Sequence, residues 1–439
     1  MFARVLVANR AEIACRVIRT LRRLGIRSVA VHSDADVSAR HVREADAAER
    51  IGEAPAPASY LNPAAIVDAA LRSGAEAVHP GYGFLSESAK FAEAVLGAGL
   101  AWIGPSPDVL ELTGDKAACR EAFAGTGFPV LPGAGPFVDA PSAVAAADDV
   151  GYPIMVKAVM GGGGIGMSVA RDPAGLAAAV ETASTRGARF FADPSVLLER
   201  YVEGARHVEV QILADADRCL HLYERECSVQ RRHQKVVEET PSRALDDDLR
   251  RTMCGAAVAS MRALGYSGAG TVECVVSPAG EFFLLEVNAR LQVEHPVTEM
   301  TCGGGIDLVE QQLRVAAGEG MSLEATPDRT GNAIECRVYA EDPRTFLPSP
   351  GTISALRLPE GVRADFGYDE GDEVPMFYDP LIGKLVVLGD DRKAAIEAMG
   401  HAVDGTLIAG LKTNLEAHAR ILRDERFISG AYDTSLLGK

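Results

Sequence analysis

Residues Glu286 to His295, EVNARLQVEH, follow the apolar run EFFLL without a turn signal and carry Glu286, Asn288, Arg290, Gln292 and Glu294 at every second position. A strand with a period of two sends such residues to one side. The neighbouring stretch GTVECVVS contributes Glu273, and Pro278-Ala279-Gly280 supplies the turn of a hairpin in which Glu273 and Glu286 stand directly opposite each other. Two facing carboxylates among Val, Cys, Phe and Leu repel. A divalent cation between them removes that penalty, and oxygen donors including Asn288 suit Mg²⁺ or Mn²⁺ held jointly with nucleotide phosphates. An acidic, solvent-facing surface is the simpler alternative. Arginine's planar fork suits a small oxyanion at Arg290, and Glu294 can take a proton from it. A purely structural Arg290–Glu294 ion pair accounts for the same two residues.

Three further clusters have chemical potential. In MVKAVMGGGGIGM, Gly161, Gly163 and Gly166 match G-x-G-x-x-G literally, but a strand (SVAR) follows where a dinucleotide site needs a helix, and no GK[ST] marks a P-loop. The run Gly161, Gly162, Gly163, Gly164 sits between two strands, where its amides can wrap an anion and close over a polyphosphate; a flexible connection is the bland reading. Lys157, four residues earlier, can add a point charge. SVQRRHQKVVEE groups Gln230, His233 and Lys235 as an anion-holding set or as a solvated basic strand. HPGYGFLSE puts His79 and Tyr82 in a Gly/Pro turn after an α/β strand, a common ligand position.

The elements around these clusters divide the chain. RVLVA, AEIACRVIRTLRRLG, SVAVHS, AAIVDAALRSG and EAVHP alternate strand and helix, which predicts a parallel α/β sheet. The middle reads as α+β, with strands such as HVEVQILAD and CLHLYERE around the helix DDDLRRTMCGAAVASMRALG, and the last part as a small mixed domain. At 439 residues the chain exceeds one ordinary core. A formal charge of −17, from 44 basic and 61 acidic residues, argues against nucleic acid or an anionic membrane as partner. Eight cysteines without a CxxC pair predict reduced, buried thiols. With no signal-peptide layout and no apolar run of about 20 residues, a soluble cytoplasmic protein without membrane insertion is expected.

Taken in order, HPGYGFLSE, MVKAVMGGGGIGM, ERECSVQRRHQKVVEE, EVNARLQVEHPVTEM, IECRVYAEDP and LPSPG closely resemble the biotin carboxylase family of the ATP-grasp superfamily. The resemblance runs through essentially the whole chain. It implies an N-terminal Rossmann-like domain over 1–112, an ATP-grasp domain over 113–325 with a glycine-loop lid at about 130–203, and a C-terminal domain over 326–439. It also implies ATP, two divalent ions (Mg²⁺ or Mn²⁺), bicarbonate and biotin, with carboxyphosphate between them. By position, Lys116, Lys157 and Gly161 to Gly164 would hold ATP phosphates. Glu199 and His207, with Gln230 and His233, would complete the nucleotide site, and Glu273, Glu286 and Asn288 would bind metal. Arg290, Gln292 and Val293 would hold bicarbonate, Glu294 would deprotonate it, and Lys235 would steady the carboxyphosphate. Arg337 would stabilise the biotin enolate, and Tyr82 would line the biotin pocket.

Three departures accompany the resemblance. Ile165 stands where the family commonly has Lys or Arg, Arg23 stands where it has Glu, and GVRADFGYDEGDEV is shortened. Arg16, Arg19 and Arg23 share a helix face, where like charges predict a weakened homodimer. The chain shows no AMKM-type attachment sequence, so a biotin carboxyl carrier protein is expected in trans, with a separate carboxyltransferase subunit. A nucleotide-binding subunit without turnover and an ATP-grasp ligase acting on an amine or amino acid are the alternatives.

Overall fold

A computed structural model describes residues 1–159, 167–191, 193–303 and 305–438. The chain opens with five parallel strands in the order Ala47–Gly52, Arg27–Ser33, Arg4–Val7, Ala77–His79, Ala101–Trp102. The helix Ala11–Arg23 packs here because Ile13, Val17, Ile18 and Leu21 recur at helical spacing and are all buried. Strand ends of such a sheet face a crevice. Asn9 ties two of them together, its amide donating to the carbonyls of Pro80 (2.8 Å) and Tyr82 (2.7 Å).

The centre is one antiparallel sheet of eight strands, in the order Phe282–Asn288, Gly268–Val276, Arg206–Ala214, Cys219–Arg231, Gln234–Thr240, Asn332–Tyr339, Leu381–Gly389, Arg363–Phe366. The last three come from the part read as a separate mixed domain, yet they continue this sheet. Helix Asp247–Ala263 covers the sheet with Met253, Cys254, Ala257 and Met261, and Asp246 caps its start by accepting from Leu249 N. A smaller sheet, Gly133–Phe137, Val196–Arg200, Ile154–Ala158, Ser168–Ala170, is backed by helix Pro173–Phe191. Its strands Ile154–Ala158 and Ser168–Ala170 pair antiparallel and flank the glycine run as expected; Gly161 to Gly164 and Ile165 themselves lie outside the described residues. All eight cysteines are free and buried. Among the described residues no helix is long and apolar enough to cross a membrane.

One expectation needs correction. The strand of the opening motif ends at Asn288; Arg290 and Gln292 follow in irregular backbone, and Glu294 is the N-cap of helix His295–Thr301, with φ −81° and ψ 10°. Pro296 in the first turn, which fits a helix start and not a central strand, is the local cause.

Candidate functional site

The hairpin register places Glu273 opposite Glu286, as expected, but only through an irregularity. Near the turn, Val276 faces Phe282 and Cys274 faces Leu284; an extra residue at Leu285 then shifts the pairing by one and brings the two glutamates together. Glu209 stands opposite Glu273 on the other side, and Arg225 stands opposite Glu209. The row Arg225, Glu209, Glu273, Glu286 thus crosses four adjacent strands.

Lys235 gathers the acids of this row. Its ammonium donates to Glu209 (2.6 Å), Glu273 (2.8 Å) and Glu294 (2.7 Å). Arg337 grips the second oxygen of Glu294 at 3.0 Å and Glu238 at 2.6 Å. Burial alone would raise the Glu294 carboxyl, but Lys235, Arg337 and Arg225 outweigh it and hold it well below the usual carboxylate range. Glu286 moves the other way, raised by burial and by the charge of Glu273. The Asn288 amide donates to it at 3.3 Å. A like-charge pair whose outer member is only weakly compensated fits a divalent cation, and the hard oxygen donors of Glu273, Glu286 and Asn288 suit Mg²⁺ or Mn²⁺.

The oxyanion candidates are also brought together. Arg290 donates to Gln292 (2.8 Å), Asn288 (2.6 Å) and Glu87 (2.9 Å), and Gln292 donates to Glu273 (2.9 Å). The alternative Arg290–Glu294 ion pair does not form; Glu87 is the partner of Arg290, and Glu294 belongs to Lys235 and Arg337. Lys157 and Glu199 make a buried ion pair across adjacent strands. His207 lies 2.8 Å from Glu273 through Nε2 and 2.6 Å from the Gln230 amide through Nδ1. Lys116, at the start of helix Lys116–Gly125, is pulled down by burial and pulled back up by Glu286. His233 is exposed at the tip of a two-residue turn in which Arg232 and His233 both have positive φ (49° and 67°), the geometry that joins strands Cys219–Arg231 and Gln234–Thr240.

Lys116, Lys157, His207, Lys235, Glu286 and Arg290 line a cavity of about 1070 Å³, which Tyr82 and Val293 also border. The Tyr82 hydroxyl is buried without a hydrogen-bond partner. Sequence reasoning missed Glu209, Glu238, Glu87 and Arg225. A signal existed for Glu209: His207, Glu209 and Gln211 alternate with apolar residues along one strand and so share the face that holds Glu273.

A parallel N-terminal sheet, a small antiparallel sheet and a large one, with residues on or beside all three lining one cavity, define an ATP-grasp fold, and comparisons with known proteins agree. Family models match residues 1–110 (biotin carboxylase, N-terminal domain), 115–324 (carbamoyl-phosphate synthase L chain, ATP binding domain) and 335–439 (biotin carboxylase C-terminal domain). Biotin carboxylase 2 of Bacillus subtilis is 47% identical over 442 residues, covering 100% of this chain and 99% of that protein. A crystal structure of biotin carboxylase from Campylobacter jejuni, in complex with β,γ-ATP, matches with a TM-score of 0.96 at 41% identity, covering 100% of this chain and 98% of that one. The biotin carboxylase domain dimer of Hydrogenobacter thermophilus 2-oxoglutarate carboxylase, with MgADP, ADP and bicarbonate, has the same TM-score and identity and covers 97% of that chain. The chain belongs to the biotin carboxylase family.

Proposed function

We propose that the protein carboxylates biotin on a carrier protein, using ATP and bicarbonate. The observation that carries this reading is the convergence of Lys235 on Glu209, Glu273 and Glu294 while Arg337 holds the other oxygen of Glu294. One cation therefore touches a metal-site acid and the general base at once. Arg290, Gln292 and the Val293 backbone orient bicarbonate, and Glu294, ionised, takes its proton. The bicarbonate oxygen attacks the γ-phosphate of ATP, ADP leaves, and carboxyphosphate forms. Lys235 faces its negative charge, and Lys116, Lys157 and the glycine loop hold the phosphates. Mg²⁺ or Mn²⁺ bound at Glu273, Glu286 and Asn288 would neutralise phosphate charge. Carboxyphosphate splits at the bond between its carboxyl carbon and the phosphate oxygen into CO₂ and phosphate. The released phosphate takes the N1′ proton of biotin, Arg337 stabilises the resulting enolate beside Tyr82, and N1′ attacks CO₂ to form carboxybiotin. Glu199, His207, Gln230 and His233 hold the rest of the nucleotide.

The same reading divides the chain at about 112 and 325, with a lid over about 130–203. It makes a carrier protein and a carboxyltransferase its partners in a biotin-dependent carboxylase, and a second copy its neighbour in a cytoplasmic homodimer. The test is ADP release with Mg²⁺ present. Release is expected to require bicarbonate and to rise with biotin or biotinylated carrier. Equal hydrolysis after rigorous removal of bicarbonate would sink the coupled reaction, and stimulation by an amine or amino acid instead would point to another ligase.

A further inference from the structure

We propose that Lys384 is a positioning residue for this reaction: its buried ammonium holds the Val293 carbonyl and thereby sets the segment that presents bicarbonate to Glu294. The inference rests on the biotin carboxylase reading above.

Lys384 lies on strand Leu381–Gly389 with its side chain fully buried. A buried ammonium is costly unless its donors are used and its charge is matched. The donor goes to the carbonyl oxygen of Val293, at 2.6 Å, and the nearest carboxylate oxygen is Glu12 Oε2, at 3.5 Å. The three residues come from three parts of the fold: Glu12 from the first helix, Val293 from the segment after the Glu273–Glu286 hairpin, and Lys384 from the seventh strand of the shared sheet. Close packing seals this junction, since a Cβ on Gly367 would lie 2.3 Å from the Glu12 backbone nitrogen.

The Val293 carbonyl belongs to the peptide that joins Val293 to Glu294. Fixing that peptide plane fixes the direction in which Glu294 leaves the chain, and residues 289–292 just before it have no strand ladder of their own. Glu294 does not cap the helix it begins, so the helix alone does not orient it. Lys384 also stands opposite Arg337 in the sheet register, which places the tether beside the arginine that grips Glu294. Small misplacements at a reacting centre cost rate steeply.

Lys384→Met keeps most of the volume and removes both charge and donor. It is expected to raise KM for bicarbonate and lower kcat at least tenfold together, while the Kd for MgADP stays within twofold of wild type. Lys384→Gln keeps one donor and drops the charge; it should show the same split in smaller degree, and it serves as the readout if the Met variant does not fold. A bicarbonate KM and kcat within twofold of wild type in either folded variant would overturn the proposal. So would a parallel loss of MgADP and bicarbonate binding, which a merely structural lysine would give. If wild-type protein shows no bicarbonate-dependent turnover, the functional reading itself fails; if wild type is active and the variants match it, only the role of Lys384 fails.

Discussion

In the proposed reaction Glu294 is the base, and its surroundings keep it ionised. Its carboxyl sits well below the usual range because Lys235, Arg337 and Arg225 outweigh the cost of burial. Its stabilising contribution is therefore present above the unfolded value and is lost only as pH falls through the folded one. Glu294→Gln is expected to lower bicarbonate-dependent turnover about 10²–10⁴-fold with nucleotide binding little changed. A wild-type pH profile between about pH 6 and 8 should show no limb from this group. Retained turnover in Glu294→Gln would reduce the residue to a structural partner of Lys235. Glu12 has the opposite behaviour. Burial pushes it from 4.5 to about 7, with Lys384 pulling back. An acid raised on folding stabilises most at low pH and loses that contribution as pH rises through its folded value. Glu12→Gln should therefore gain on wild type by on the order of 2–3 kcal/mol between pH 4.5 and 8. Urea unfolding of both proteins at the two pH values measures this, and an unchanged difference would contradict it.

At the scale of elements, the Arg225–Glu209–Glu273–Glu286 row shows how a sheet concentrates charge. Arg225 is fully buried and donates to Glu209 (2.6 Å), Gln211 (2.6 Å) and Thr298 (3.0 Å). It braces the row from the side away from the cavity. Removing one partner of a buried ionic set leaves an uncompensated charge, so Arg225→Met is expected to cost about 3–5 kcal/mol in chemical denaturation. A loss under about 1 kcal/mol would mean that Lys235 alone compensates Glu209. The hairpin carrying Glu273 and Glu286 was legible because a Pro-Ala-Gly turn lies between two apolar strands. The irregularity at Leu285 was not legible, since nothing in EFFLLEVN marks which residue is left unpaired.

For the whole molecule, the first helix changes its meaning once the fold is known. Arg16, Arg19 and Arg23 share a helix face in the sequence and suggest mutual repulsion. In the structure each meets acids of its own chain. Arg16 is buried against Glu299 (2.7 Å) and Asp307 (2.8 Å), Arg19 pairs with Asp365 (2.7 Å), and Arg23 pairs with Asp307 (2.9 Å) and Glu310 (2.6 Å). The premise of unopposed charge is withdrawn, and with it the reason for a weak pairing of copies. Sedimentation at micromolar protein is expected to show a dimer whose fraction changes little between low and high salt. Monomer alone, or dissociation driven by salt, would contradict this.

The sequence by itself determined what is local or periodic. Alternation along a strand put Glu286 and Asn288 on one side, the turn at Pro278 to Gly280 made neighbours of the strands that carry Glu273 and Glu286, and motif order identified the family. Tertiary structure alone decided which distant charges share a partner: Lys235 with Glu209, Glu273 and Glu294, Arg290 with Glu87, and Lys384 with Val293 and Glu12. The physical reason is that strand and helix periods fix the direction of a side chain relative to its own element, whereas ion pairing depends on which elements become neighbours. Only the packed sheet, which draws strands from both the central and the final part of the chain, sets that.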